Sequence, residues 1–103
     1  RMLADADALV AAGADMLLLE CVPAELAAEI KARVPVPVIG IGAGVDVDGQ
    51  VLVLYDILDI APGKRTRFSR NYLGQGGSIQ GAVGAYVEDV RARRFPTADY
   101  SFS

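Results

Sequence analysis

Apolar residues fall along the chain in two alternating rhythms. Over residues 2–12 they recur at Met2, Ala6, Leu9 and Val10 in an alanine-rich stretch. That spacing predicts a helix, and Gly13 stands where a C-terminal cap belongs. Met16-Leu17-Leu18-Leu19 is a continuous apolar run too short for a helix. A run without alternation fits a strand buried on both faces, as parallel sheets require. Pro23 suits the first turn of a following helix, Glu25 suits the positive end of its dipole, and Leu26, Ala27, Ile30 and Val34 form one apolar stripe. Pro35 and Pro37 bar helix from the next stretch, so Val36 to Ile41 reads as a second buried strand. The order helix, strand, helix, strand is that of an α/β protein with a parallel sheet.

Farther along the pattern is less regular. Gly42-Ala43-Gly44 and residues 45–49 form a loop. Gln50 to Asp56 has the β-branched content of a third buried strand, though periodicity leaves a short helix open. Pro62-Gly63 marks a turn, Thr66 to Leu73 is expected to form a short basic helix, and Gly74-Gln75-Gly76-Gly77 breaks it. Ser78 is a good N-cap for a helix to about Arg93, with Ile79, Val83, Tyr86, Val87 and Val90 sharing one face. Gly81 and Gly84 weaken that helix by up to about 1 kcal/mol each relative to alanine, or permit close packing against a neighbour. Residues 95–103 are irregular. Two or three strand–helix units leave sheet edges and apolar faces exposed. Residues 1–103 are therefore expected to be a single incomplete domain.

Composition narrows the chemistry. Of 103 residues 52% are hydrophobic and 22% charged, enough apolar material for a core. A formal net charge of −3 argues against nucleic acid or an anionic membrane as partner. The late basic residues Lys64, Arg65, Arg67, Arg70, Arg91, Arg93 and Arg94 lack an aromatic stacking platform and read as solvated faces or subunit contacts. No apolar run approaches the roughly 20 residues of a membrane span. Cys21 is the only cysteine, which points to a reducing compartment such as the cytoplasm. The start at Arg1, without methionine, suggests a beginning inside a longer protein. Histidine is absent, so neither a Ser-His-Asp nor a Cys-His nucleophile can be built from this chain alone. Proton transfer near neutral pH must rest on carboxylates, lysine, tyrosine or Cys21.

Glu20 is the foremost candidate. It ends the run Met16–Leu19, immediately before the turn into a helix, and α/β barrels and open sheets place their sites at the carboxyl ends of strands. Flanked by Leu19, Cys21 and Val22, its carboxylate is expected to be partly desolvated, with a pKa raised towards the range useful to a general base. On the residues alone, a strand-end glutamate that caps the next helix or pairs with a lysine fits equally well. Gly40-Ile41-Gly42-Ala43-Gly44 lacks the G-x-G-x-x-G spacing of a dinucleotide site. Its glycines either allow a tight exit from the strand, the favoured reading, or let backbone N–H groups approach an anion. Asp46, Asp48, Asp56 and Asp59 do not match a calcium loop and read as turn and capping residues. Cys21, beside a negative charge, is expected to pack rather than react.

At these residues the chain resembles a known family. Leu18-Leu19-Glu20-Cys21-Val22-Pro23, Val38-Ile39-Gly40-Ile41-Gly42-Ala43-Gly44 and Asp48-Gly49-Gln50-Val51-Leu52-Val53 resemble, in order, three signatures of ketopantoate hydroxymethyltransferase; Phe95-Pro96 and Ser101-Phe102 resemble its C-terminal ending. The resemblance implies the C-terminal part of a (β/α)8 barrel, about three βα units plus terminal helices, with Gln50 to Tyr55 as the eighth strand. It implies transfer of a hydroxymethyl group from methylenetetrahydrofolate to 3-methyl-2-oxobutanoate, and makes Glu20 the general base. It implies Mg2+, with its ligands and the oxo-acid-binding residues in earlier strands, and a homo-oligomer to which the helix from Ser78 contributes. No substrate-binding or metal-binding residue is carried over to this segment. Tyr55 and Tyr100 stand where the family usually has histidine, and Asp59 where it usually has glycine.

With most of the implied barrel absent, the chain alone is expected to be inactive. Two rivals remain at the level of sequence. One is another magnesium-enolate lyase of the phosphoenolpyruvate and pyruvate superfamily. The other is a non-catalytic fragment or assembly module that fits a separate N-terminal partner.

Overall fold

The computed structural model describes residues 1–60 and 62–103. Helix α1 (Met2–Ala11) leads to strand β1 (Leu17–Glu20), helix α2 (Ala24–Arg33) and strand β2 (Val38–Ile41). These elements fall close to where the apolar spacing puts them. β1 and β2 pair in parallel, from Leu17 opposite Val38 to Glu20 opposite Ile41, and α2 provides the crossover. A two-residue strand β3 (Gly49–Gln50) adds to the other side of β2, opposite Ile39 and Gly40. The sheet order is β1-β2-β3, so strands adjacent in sequence are adjacent in space.

The return from β2 to β3 uses only residues 42–48, against the dozen or more usual between parallel strands. Gly42 and Gly44, at φ 66° and 83°, allow the tight reversal. The Asp48 carboxylate accepts the Val38 N–H at 2.9 Å, while its own N–H donates to the Val38 carbonyl at 2.9 Å. One side chain thereby extends the ladder where β3 is too short to do so.

One face of the sheet is covered. Leu17 and Val38 meet Ala6, Val22, Ala27, Ile30, Val34, Ala43 and Val47 in a first core beneath α1 and α2. The other face corrects the expectation that Met16–Leu19 is buried on both sides. Leu18 is 63% exposed, and Val51 (42%) and Val53 (52%), in the coil that follows β3, are exposed too. No element among the described residues covers them.

A second core gathers Leu52, Ile57, Leu58, Tyr72, Ala82 and Phe95. It is built by the short helices α3 (Leu54–Ile57) and α4 (Leu73–Gly76), the long helix α5 (Ile79–Arg91) and the tail, which has a 3-10 turn at Ala98–Tyr100. Tyr72, Tyr86 and Phe95 pack edge to face with centroids 5.7–6.0 Å apart. Two cores give a radius of gyration of 14.5 Å and extents of 44 × 24 × 21 Å, where a compact domain of this length would have a radius of about 13 Å.

Three further expectations are corrected. Of Gln50 to Tyr55 only Gln50 is strand: after the Val51 N–H donates to Gly40 O at 3.0 Å, no further strand among the described residues pairs with the chain, and it coils into α3, the short helix that periodicity left open. Thr66–Leu73 is not a helix: the chain turns at Arg67-Phe68, with the Ser69 N–H donating to Thr66 O at 3.3 Å, and runs irregularly to Tyr72, whose N–H donates to Ile57 O at 2.8 Å and whose ring is fully buried. The helical turn starts instead at Leu73, whose N–H donates to Asn71 Oδ1 at 2.8 Å, and takes in Gly74–Gly76. α5 has the expected Ser78 cap, with the Gly81 N–H donating to Ser78 Oγ at 2.9 Å. Its inner face, however, carries Ala82, Ala85, Tyr86, Asp89 and Val90, while Ile79 (65% exposed), Val83 and Val87 look outward. Gly81 does permit close packing, since a Cβ there would lie 2.1 Å from Gly76 O; Gly84 faces open space. No helix among the described residues is long and apolar enough to cross a membrane.

Candidate active site

Glu20 occupies the last position of β1, at the carboxyl edge of the sheet. By the period-two alternation of a strand it lies on the same face as Leu18, the uncovered one. The expected desolvation is not found within this chain. Glu20 is exposed, and its carboxylate has no hydrogen-bond or ion-pair partner among the described residues. It borders an open trough of about 370 Å3 along the free edge of β1, lined mainly by apolar residues including Met2, Leu9, Met16 and Leu18.

The turn behind Glu20 is tightly specified. Cys21 adopts φ 53°, uncommon for a residue with a side chain, and its N–H extends the sheet ladder to Ile41 O at 2.9 Å. The thiol is exposed, which corrects the expected packing role. Pro23 has no side chain to cap α2; the Ala24 N–H donates instead to Phe102 O at 2.9 Å, in the C-terminal tail. Val22 is buried in the first core.

The glycines after β2 do steric work, as the favoured reading had it. A Cβ on Gly44 would sit 2.5 Å from Ala24 Cβ, and one on Gly42 3.0 Å from the Phe68 ring. Gln50 Nε2 donates to Gly44 O at 2.8 Å, so the Asp48-Gly49-Gln50 motif fixes this loop twice, through Asp48 and Gln50. Gly44→Ala should therefore destabilise the protein by about 2–4 kcal/mol, from the positive φ and the clash together. Adding Ala24→Gly should recover the part of the clash due to the Ala24 Cβ, but not the contact with Ala24 Cα at 3.0 Å or the backbone component. Urea unfolding of the single and double variants measures both.

Three of the four aspartates Asp46, Asp48, Asp56 and Asp59 are occupied elsewhere. Asp48 holds Val38, Asp46 accepts from Arg93 at 2.7 Å, and Asp59 pairs with Arg65. Among the described residues no group of three or more histidine, cysteine, aspartate or glutamate side chains converges as metal ligands. The described residues of this chain do not by themselves fit a magnesium site. Much of the late basic cluster is likewise engaged within the chain. Arg94 donates to Asp89 at 3.0 Å, Arg70 lies 3.5 Å from the same carboxylate, and Arg67 Nε donates to Ser101 O at 3.0 Å.

Sequence reasoning assigns no role to the Gln50 or Asp89 side chain, and reads Arg67 as a solvated face or subunit contact rather than a partner of the tail. Gln50 did stand inside a recognised motif. The partners of the other two, Ser101 and Tyr72, lie 34 and 17 residues away, and no local pattern announces them.

The family model described as ketopantoate hydroxymethyltransferase matches residues 1–98. A 3-methyl-2-oxobutanoate hydroxymethyltransferase of Alkalilimnicola ehrlichii is 61% identical over 101 residues, covering 98% of this chain and 36% of the relative. That of Chromobacterium violaceum is 51% identical, covering 99% of the chain and 39% of the relative. A third, 3-methyl-2-oxobutanoate hydroxymethyltransferase 2 of Pseudomonas fluorescens, is 57% identical, covering 100% and 39%. The chain thus spans little more than a third of the length of these relatives. On the family match and these identities, it belongs to the ketopantoate hydroxymethyltransferase family.

Proposed function

We propose that this chain is the C-terminal part of a (β/α)8 barrel that transfers a hydroxymethyl group from methylenetetrahydrofolate to 3-methyl-2-oxobutanoate, giving ketopantoate for pantothenate synthesis in the cytoplasm. The observation that carries the reading is the place of Glu20: a strand-end carboxylate on the uncovered face of a parallel sheet, in a chain of this family. In such a barrel the uncovered face is the interior, and the missing strands supply the dry surroundings that Glu20 lacks here.

As general base, Glu20 takes the proton from the carbon next to the oxo group. Water adds to the methylene carbon of the folate, whose two carbon–nitrogen bonds break as the nitrogens take up the two protons of the water, leaving the one-carbon unit at the level of formaldehyde. The enolate carbon adds to it, forming the carbon–carbon bond, and the new alkoxide takes back the proton held by Glu20. Mg2+ would have to be held by residues outside this chain, and would there supply a positive charge that favours the enolate. A homo-oligomer in which α5 presents Ile79, Val83 and Val87 to a neighbour accords with their outward position.

The test is to compare the 103-residue chain with a completed protein, in which the N-terminal portion of the Alkalilimnicola ehrlichii relative is fused to residue 1. Ketopantoate is expected from the completed protein and none from the chain alone. A completed protein that folds but forms no ketopantoate, or turns over a different oxo acid instead, would sink the proposal.

A further inference from the structure

We propose that Arg67 is a positioning residue for Glu20, acting through the C-terminal tail, which it straps onto the first turn of α2. The inference rests on the reading of Glu20 as the general base.

A helix leaves its first N–H groups without intrahelical partners, and a residue just before it normally caps one of them with a side-chain oxygen. Pro23 cannot, and Phe102 O takes that place on the Ala24 N–H at 2.9 Å. The turn Cys21-Val22-Pro23 is therefore pinned at both ends, by Ile41 O on Cys21 and by Phe102 O on Ala24. With Cys21 at φ 53°, a conformation that surrounding contacts must maintain, the second pin bears directly on where Glu20 points.

A tail carbonyl is a useful cap only if the tail is held, and Arg67 holds it. Its Nε donates to Ser101 O at 3.0 Å, and its guanidinium lies 5.8 Å from the centre of the Phe102 ring. Ser101 Oγ donates back to Thr97 O at 2.7 Å, closing the tail on itself. Arg67 is in turn fixed by its neighbour Phe68, which lies over Gly42 and packs against the second core. A line of contacts thus runs from the segment after β3, through the tail, to the turn that presents Glu20.

In the completed protein, Arg67→Ala and a truncation after Tyr100 are each expected to lower kcat about 10-fold or more, because small displacements of a reacting group are costly. KM for the oxo acid should stay within about 2-fold. Arg67→Lys, which keeps a donor for Ser101 O, should restore most of kcat. Hydrogen exchange over residues 21–27 should accelerate in Arg67→Ala and in the truncation, but not in Arg67→Lys. Unchanged exchange in Arg67→Ala overturns the inference, as does a raised KM at constant kcat, which would place the tail against substrate. Unchanged kcat in Arg67→Ala, while Glu20→Gln is inactive, overturns it too. If Glu20→Gln is fully active, it is the reading of Glu20 that falls, and faster exchange in Arg67→Ala would still support the strap.

Discussion

Glu20→Gln in the completed protein is expected to lower kcat by about 10²- to 10⁴-fold, the range that a general base contributes. Glutamine keeps the size and hydrogen-bonding reach of glutamate but has no lone pair basic enough to take a carbon-bound proton. In the 103-residue chain, where Glu20 is exposed, the same change should leave the circular dichroism spectrum and melting temperature those of the parent. Exchange of the oxo acid's C3 proton with deuterated solvent, followed by NMR without folate, isolates the proton-transfer step from the later carbon–carbon bond formation. The parent should exchange and the variant should not. Exchange in the variant at the parental rate would remove Glu20 from the role of base.

Asp89→Ala should produce the largest loss of stability of any polar substitution here. Its carboxylate is only 6% exposed, on the inner face of α5. It accepts the Tyr72 hydroxyl at 2.9 Å and Arg94 Nε at 3.0 Å, with Arg70 at 3.5 Å. Removing it strands the Tyr72 hydroxyl in the second core and takes the carboxylate from Arg94 and Arg70, the latter keeping its bond to Gln75 Oε1 at 2.7 Å. Breaking a fully buried pair costs about 3–5 kcal/mol. Because Arg94 and, less so, Arg70 reach solvent, about 2–3 kcal/mol is the expected loss, read as a lower urea midpoint.

The same carboxylate sets a pH dependence. Burial pushes the Asp89 pKa up, but the hydrogen bonds from Arg94 and Tyr72 and the charges of Arg94 and Arg70 outweigh it, so the net shift is downward. A carboxylate whose pKa is lower folded than unfolded contributes stability above the unfolded value of about 3.9. That contribution is lost as pH falls through the folded value. Asp89→Asn should therefore flatten the acid limb of the stability curve, and a limb identical to the parent's would rule out Asp89 as its source. The Tyr72 hydroxyl is pushed well above its ordinary value, by burial and then by its bond to Asp89, and burial takes Tyr86 up to about 12. Both stay neutral across this range.

Local signals carried the first half of the fold. Alanine-rich spacing, a buried apolar run, a proline at a helix start and prolines before a strand each act within a few residues, and α1, β1, α2 and β2 appear where those signals lie. Ser78 likewise announces α5. Elsewhere the deciding contacts are distant or missing. Gln50 to Tyr55 has strand-forming side chains, but a strand needs a neighbour, and β3 has one only as far as β2 reaches. Thr66–Leu73 loses its helix to Tyr72, whose partners are Ile57 and Asp89. Asp89 itself looks like a surface residue in a list of letters and is buried because Tyr72 and Arg94 meet it. Glu20 was legible as a strand-end carboxylate because that is a matter of order along the chain. Its surroundings were not, because none of the described residues crosses above it.

The open flank of β1 has a consequence for the polypeptide on its own. A parallel strand with unsatisfied N–H and C=O groups along one side, next to Leu18 and Met16 in water, is a template for whatever extended segment arrives first. Without the rest of a barrel, that visitor is another copy of the same sequence, and the pairing does not close. Chaperones and proteases recognise the same features, so a cell producing only these 103 residues would find them clumped or degraded more often than free.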